Sequence, residues 1–335
     1  MKLVRTSPSL DRRDCLRLIV GAGALGIGGG AGAQSYPSKT ITLIVPYPAG
    51  GVADVVGRTL AENLGKTLGQ TMIVDNRAGA SGVIGISAMT KAPADGHTLA
   101  IGINSSLMFN RFLFKKLPYD PDKDVALVAR IATIASVLVV HPSVPADNLG
   151  DLVRYLQANK GKTSYGSYGP GTGPHLYGSH LSRLYDAELV HVPYKGEQPM
   201  VQDLLGGQIK LTFCAPQSAK VHGEAGKLKC IAVCGDQRFP TLPQVPTFGE
   251  QGVRDAVFRS TGWLALAAPA ATPKEVVRRL AEETQAAIAL PAVSERLAAS
   301  GVNPAFLGPD EFTAAYKAEL PVWENVVKQS GVTLE

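Results

Sequence analysis

The chain has 335 residues, long enough for two domains, and its composition of 45% hydrophobic, 6% aromatic and 18% charged residues is that of an ordinary globular protein. The formal net charge is +5, but residues 1–33 hold five cations (Lys2, Arg5, Arg12, Arg13, Arg17) against Asp11 and Asp14, so the rest of the chain carries only +2. That leaves no basic patch to suggest nucleic acid as a partner, and no acidic tail.

Residues 1–33 read as an export signal. A positive stretch precedes residues 18–33, which are all Leu, Ile, Val, Gly or Ala and end in Ala31-Gly32-Ala33, an A-x-A-like cleavage site. The adjacent arginines of "DRRDCLRL" fit a twin-arginine signal, and the general secretory route fits as well. These glycine-rich residues fall short of the ~20 apolar residues that a membrane span needs. A cleaved signal and a periplasmic protein are therefore expected. "GAGALG", residues 21–26, matches the dinucleotide pattern G-x-G-x-x-G, but it lies inside the signal and no acidic residue follows at the required distance. No cofactor and no metal is expected. Cys214, Cys230 and Cys234 remain after processing. Cys230 and Cys234 share a strand-like stretch, ~13 Å apart at strand rise, too far to bridge each other. They read as small buried apolar residues.

From residue 36 onward the pattern alternates strand and helix. "KTITLIVPY" is an apolar, β-branched strand; residues 53–69 follow as a helix with Val56, Leu60, Leu64 and Leu68 on one face, ending at Gly69. "TMIVDN", "SGVIGISAMTKA" and "HTLAIGIN" continue as strand, helix, strand, the βαβαβ order of a parallel, doubly wound sheet. "MFNRFLFKKLPYDPDKD" reads as a long irregular connection, and "VALVARIATIASVLVVHPS" as two strands or a crossing between domains. A second series follows: helix 148–162, strand 163–169, helix 173–185, strand 187–194, helix 197–207, then the strands "QIKLTFCA" and "KLKCIAVC". "DAVFRSTGWLALAAP" looks like a return crossing, and residues 273–299 and 309–330 read as helices. The fold class expected is α/β: two lobes, each a mostly parallel sheet flanked by helices, joined by two crossings. One lobe would be residues 36–138 plus 256–335 and the other 139–255. Ligands of such sheets bind where strands run into helices.

The strand–helix turns carry the chemistry. In "VPYPAGGVADVVGR", Pro46 and Pro48 stiffen the turn, Gly50 and Gly51 let the backbone approach a ligand, and a helix begins at once. Its first N–H groups and dipole suit an anion without any cationic side chain. Asp54, in the first helical turn, reads as a hydrogen-bonding residue that faces away from that charge. "NRAGASGVIG" (76–85), "NSS" (104–106), "GSYGPGTGPHL" (166–176) and "VPYKGEQP" (192–199) repeat the arrangement, so five turns can line one cleft.

Catalytic readings have less to stand on. There is no G-x-S-x-G; His175 and His180 are five apart, which does not place both on one helix face, and the other histidines are scattered. Lys195 as a Schiff base or phosphate ligand has nothing nearby that marks it as desolvated.

"YPSKTITLIVPYPAGGVADVVGR", "VDNRAGASGVIG", "ADGHTLAIG", "LPYDPDKD", "YGSYGPGTGPHL", "VPYKGEQPMVQDLLGGQI" and "GKLKCIAV", in this order over residues 36–330, resemble the Bug family, the extracytoplasmic solute-binding receptors of tripartite tricarboxylate transporters. The resemblance implies a two-lobed periplasmic binding-protein (Venus flytrap) fold that closes on a small organic carboxylate, with membrane permease subunits as partners, no catalysis, and a monomer. By matching motifs it implies ligand contacts, largely main-chain amides, at Tyr47, Ala49, Gly50, Gly51, Val52, Ala53 and Asp54. On the facing lobe it implies Tyr168, Gly171, Thr172, Gly173 and His175, with Ser81, Asn104, Ser105 and Tyr194 at the rim. The chain departs from the family pattern at Cys214, where an Asp is common after the Phe, and at Tyr168 and Pro170. Tyr47 and Tyr168 would favour a flat or aromatic acid. A ligand sensor feeding a signalling partner, or an exported α/β enzyme using Lys195 or His175, are the alternatives.

Overall fold

A computed structural model describes residues 36–334. The expected export signal therefore lies outside the described residues.

Two sheets organise the chain. The first holds six strands in the order β11-β4-β10-β3-β1-β2. In chain order these are β1 (Ile41–Val45), β2 (Met72–Asn76), β3 (Thr98–Ile103), β4 (Val125–Ile134), β10 (Gly262–Pro269) and β11 (Asn303–Leu307). The second has the order β7-β6-β8-β5-β9, built from β5 (Val137–Val140), β6 (Ser164–Ser167), β7 (Val190–Pro193), β8 (Leu211–Cys214) and β9 (Lys229–Val233). β1 is flanked in parallel by β2 and β3, and β6 in parallel by β7 and β8. β10 runs antiparallel to β3 and β4, β11 to β4, and β5 to β8 and β9. The sheets are thus mixed rather than mostly parallel. The reason lies in the crossings: a strand that arrives from the other sheet enters at the opposite end, and so runs against its neighbours.

The apolar run 125–143 resolves as both of the expected readings. β4 ends in the first sheet, Ala135 and Ser136 cross, and β5 opens the second. The chain returns between Cys234, whose N–H bonds Ser136 O at 2.9 Å, and β10.

Helices cover both sheets. α1 (Val52–Leu68) buries Val56, Leu60, Leu64 and Leu68, the predicted stripe, against β1 and β3, and stops at Gly69 in a left-handed cap. α2 is Val83–Thr90, α4 Leu149–Ala158, α5 Gly173–Leu184 and α6 Glu197–Leu205. The aromatic stretch expected to be irregular is partly helical: a π-turn at Ser105–Phe109 runs into α3 (Asn110–Leu113), because Leu107, Met108, Phe109 and Leu113 all reach the core. α7 (Pro216–Glu224) and β11 were not expected. α8 is Ala256–Arg259. The helix expected over 273–299 is two, α9 (Lys274–Ala289) and α10 (Pro291–Ala299), because Pro291 holds Leu290 in extended backbone. α11 (Pro309–Ser330) spans both lobes. Phe312 and Tyr316 pack on Trp263 of β10, while Trp323 packs on Phe109 and on Tyr177 of α5, and Pro321 lies inside the helix between these groups.

Candidate functional site

The turn after β1 leaves residues 48–52 exposed at the carboxyl end of the sheet. Gly50 has φ 82°, a conformation that glycine adopts at least cost, and Gly51 returns to extended backbone (φ −78°, ψ 170°) as the cap of α1. The first helical bond runs from Val55 N–H to Gly51 O (3.0 Å), so the N–H groups of Val52, Ala53 and Asp54 precede the ladder and have no acceptor within the helix.

Asp54 shapes this turn from behind. Its carboxylate, 4% exposed, accepts Gly50 N–H at 2.9 Å and Arg58 Nε at 2.9 Å. Asn76 Nδ2, from the end of β2, donates to Asp54 Oδ1 (2.9 Å) and Tyr47 O (3.1 Å), and Arg58 Nη2 donates to Asn76 Oδ1 (3.0 Å). Burial opposes ionisation of Asp54, but the bonds from Arg58, Gly50 and Asn76 outweigh it and hold the carboxyl below its usual range. The carboxylate is engaged with Gly50, Arg58 and Asn76, and Gly50 N–H is spent on it. Arg58 and Asn76 complete the brace; neither stood out in the sequence.

The turn after β6 follows the same backbone path. Gly171 has φ 75°, Thr172 is the extended cap (φ −76°, ψ 162°), and α5 starts at Gly173. Gly171 N–H is again held by the side chain four residues on, here His175 Nδ1 at 3.0 Å. Thr172 Oγ1 donates to Gly169 O (2.7 Å). The first helical bond is Leu176 N–H to Thr172 O, and Pro174 has no N–H, so Gly173 and His175 offer the open main-chain donors. The His175 ring is buried, so what this residue presents outward is its N–H.

Both turns converge on residues 105–113. A side chain at Gly171 would meet Leu113 Cδ1 at 2.7 Å, across the lobe boundary. Asn110 Nδ2 donates to Ser81 O (3.1 Å), and Tyr47 inserts its hydroxyl, buried and without a hydrogen-bond partner, beside Gly82 and Ser106. Burial raises that phenol to about 12. Gly79, Ala80, Ser81 and Gly82 all have positive φ, an unusual run for a segment that includes two non-glycine residues. Ser105 lies beside the Tyr47 hydroxyl, and Asn104 faces Gly262 at the start of β10.

The second-lobe tyrosines pack between turns. Tyr168 turns its hydroxyl toward Glu197 and the Ala215 main chain next to Cys214, and burial pushes it well above its usual value. Glu197 Oε1 accepts Ala215 N–H at 3.0 Å, so the N-terminus of α7 is already occupied by a carboxylate of the protein. Tyr194 Oη donates to Asp203 Oδ2 (2.7 Å). Cys214 and Cys234 are buried, Cys230 is half-buried, and all three are free thiols. Lys195 is exposed. Among the described residues no group of His, Cys, Asp and Glu has a metal-binding arrangement.

Two α/β lobes, bridged by two crossings and a shared helix, with helix-opening turns of each lobe brought to one segment, define the periplasmic binding-protein class. The chain belongs to the tripartite tricarboxylate transporter family receptors, whose sequence profile matches residues 56–332. It is 33% identical over 311 residues to Protein BugT of Bordetella pertussis, covering 92% of this chain and 95% of that one. Among solved structures it is similar to R. palustris Rpa4515 with adipate (TM-score 0.77, 32% identity, 89% of this chain and 99% of that one). It is also similar to MatC of Rhodopseudomonas palustris with bound malate (TM-score 0.72, 29% identity, 87% and 100%). It is a solute-binding receptor of this transporter family.

Proposed function

We propose that the protein captures a small organic carboxylate in the periplasm, between the turns after β1 and β6, and delivers it to the membrane permease subunits of a tripartite tricarboxylate transporter. The observation that carries this reading is the pair of like turns. Each has a left-handed glycine braced by a side chain four residues on, an extended cap, and helix-opening N–H groups with no acceptor in their own helix. Such N–H groups, with the helix dipole behind them, suit a carboxylate oxygen. The adipate and malate held by similar receptors fit this chemistry.

On this reading Ala49, Gly51, Val52, Ala53 and Asp54 from one lobe and Thr172, Gly173 and His175 from the other meet the ligand through main chain or cap. Tyr47, Ser81, Asn104, Ser105, Tyr168 and Tyr194 shape the walls. The moving bodies are the two sheets with their helices, joined at Ala135–Ser136 and at the return from Cys234 to β10. A ligand that touches both favours the closed state over the open one. No bond is made or broken, and the mature monomer lacks the signal at residues 1–33.

Thermal unfolding of the mature protein with adipate, malate, benzoate and citrate tests the reading. A ligand at one hundred times its dissociation constant adds ~2.7 kcal/mol to stability. No stabilisation by any of the four acids would count decisively against it.

A further inference from the structure

The two turns are braced by different chemistry. In the first lobe the acceptor is a carboxylate whose charge is met by Arg58; in the second it is a buried imidazole. His175 lies flat on His191 of β7, ring centroids 3.8 Å apart and planes 9° apart, and Tyr165 of β6 stacks beside both. His191 Nε2 is 2.7 Å from Ser167 Oγ, which also accepts Gly169 N–H at 3.1 Å. The pair therefore anchors the second turn at two points, Gly171 directly and Gly169 through Ser167. Among the described residues no cation is bonded to either ring. A groove of about 340 Å³ reaches them, carrying Arg183, Asp186 and Glu188 on its walls, and both acids are paired with Lys160.

We infer that His175 is a positioning residue for ligand capture: its neutral Nε2–H tautomer accepts Gly171 N–H at Nδ1, and this bond sets the direction of the Gly173 and His175 amides. A carboxylate here would repel an anionic ligand, since no Arg58 equivalent stands by it, so the brace must accept without charge. The inference rests on the capture reading above. Burial, with His191 adding to it, lowers the His175 ring to about 4, and His191 is lowered by burial too. The sign follows: above about 4 the ring is neutral and the acceptor is present, and as pH falls through that value Nδ1 gains a proton and the bond to Gly171 is lost.

Two measurements test this. Nitrogen-15 spectroscopy of the ligand-free protein at pH 7 reads the tautomer; a bare, hydrogen-bonded Nδ1 on His175 is expected, and a proton on Nδ1 would overturn the inference. Calorimetric titration with adipate and with malate then compares the native protein with His175→Asn and His175→Leu. The Asn oxygen falls where Nδ1 was, so at pH 7 this variant is expected to bind more tightly than His175→Leu, which fills the space without an acceptor and loses about tenfold or more of the native affinity, the order of one lost hydrogen bond to an aimed group. Equal loss of affinity in the two variants would assign His175 to packing alone. Relative to its value at pH 7, the native-to-Asn ratio of dissociation constants grows about twofold at pH 4 and fourfold at pH 3.5 for a group that titrates near 4, ligand protonation being common to both. A constant ratio would refute the titration. If neither acid binds at any pH, the capture reading fails for these ligands, and the tautomer still decides the role of His175.

Discussion

Alanine at Gly50 and at Gly171 poses the same backbone problem in two different surroundings. Both positions have left-handed φ, 82° and 75°, which costs an L-residue about 1 kcal/mol. At Gly50 a new Cβ meets nothing within 4 Å, so the conformational term is the whole effect, about 1 kcal/mol. At Gly171 it would lie 2.7 Å from Cδ1 and 3.1 Å from Cδ2 of Leu113, which is 1% exposed and fixed in the core. Overpacking of that kind adds about 1–3 kcal/mol, for about 2–4 in all. The surplus has a direction: Leu113 belongs to one lobe and Gly171 to the other, so the added methyl pushes them apart. Urea denaturation midpoints at constant m read the stability, and titration with adipate reads closure. Gly171→Ala is expected to lose more of both than Gly50→Ala, and Leu113→Val is expected to return part of the loss as a coupling energy. Equal effects at the two glycines, or no coupling to Leu113, would refute the reasoning.

Asp54→Ala leaves Gly50 N–H and Asn76 without their acceptor and is expected to cost about 2–4 kcal/mol in urea midpoint measurements. Because its folded-state carboxyl is held below the usual range, Asp54 contributes stability that is present above that range and is lost as pH falls through the folded value. Asp54→Asn is accordingly expected to flatten the acid limb of a stability–pH curve, and an unchanged limb would contradict the assignment. Gly178→Ala places a methyl 2.1 Å from Tyr165 Cε2, under the ring that stacks on His175 and His191. It is expected to destabilise the protein by about 3 kcal/mol and to shift the His175 resonances, with circular dichroism and nitrogen-15 spectra as the readouts.

Elements with strong periodicity were legible in the sequence. The stripe at Val56, Leu60, Leu64 and Leu68 defined α1, and α11 has the bounds 309–330 that its pattern predicts. What escaped had little pattern to show. α7 buries only Pro216 and Ala219, and β11 is a short edge strand with all five residues half-buried. Prolines and glycines marked the two turns, and the outward-facing role of the helix N-termini follows from where they lie. The braces divide. Asp54 and Arg58 sit one helical turn apart and were within reach of local reasoning. His175 acts on a backbone N–H and leans on His191, sixteen residues away on another strand, a relation that only the packing of α5 over β6 and β7 creates. The hydroxyls of Tyr168 and Tyr194 turn inward for the same reason: their partners, Glu197 and Asp203, arrive on α6. Tyr168, one of the two tyrosines on which a flat or aromatic acid was expected, is therefore engaged within its own lobe.

Pro321 lies inside α11. It cannot donate to Lys317 O, so α11 lacks one rung midway between Tyr316, which sits on Trp263, and Trp323, which touches Tyr177. The gap lies within a rod about 33 Å long. Trp323 also packs on Phe109 of the first lobe, so beyond the missing rung α11 is pinned to both lobes at once and acts as a clasp across their boundary.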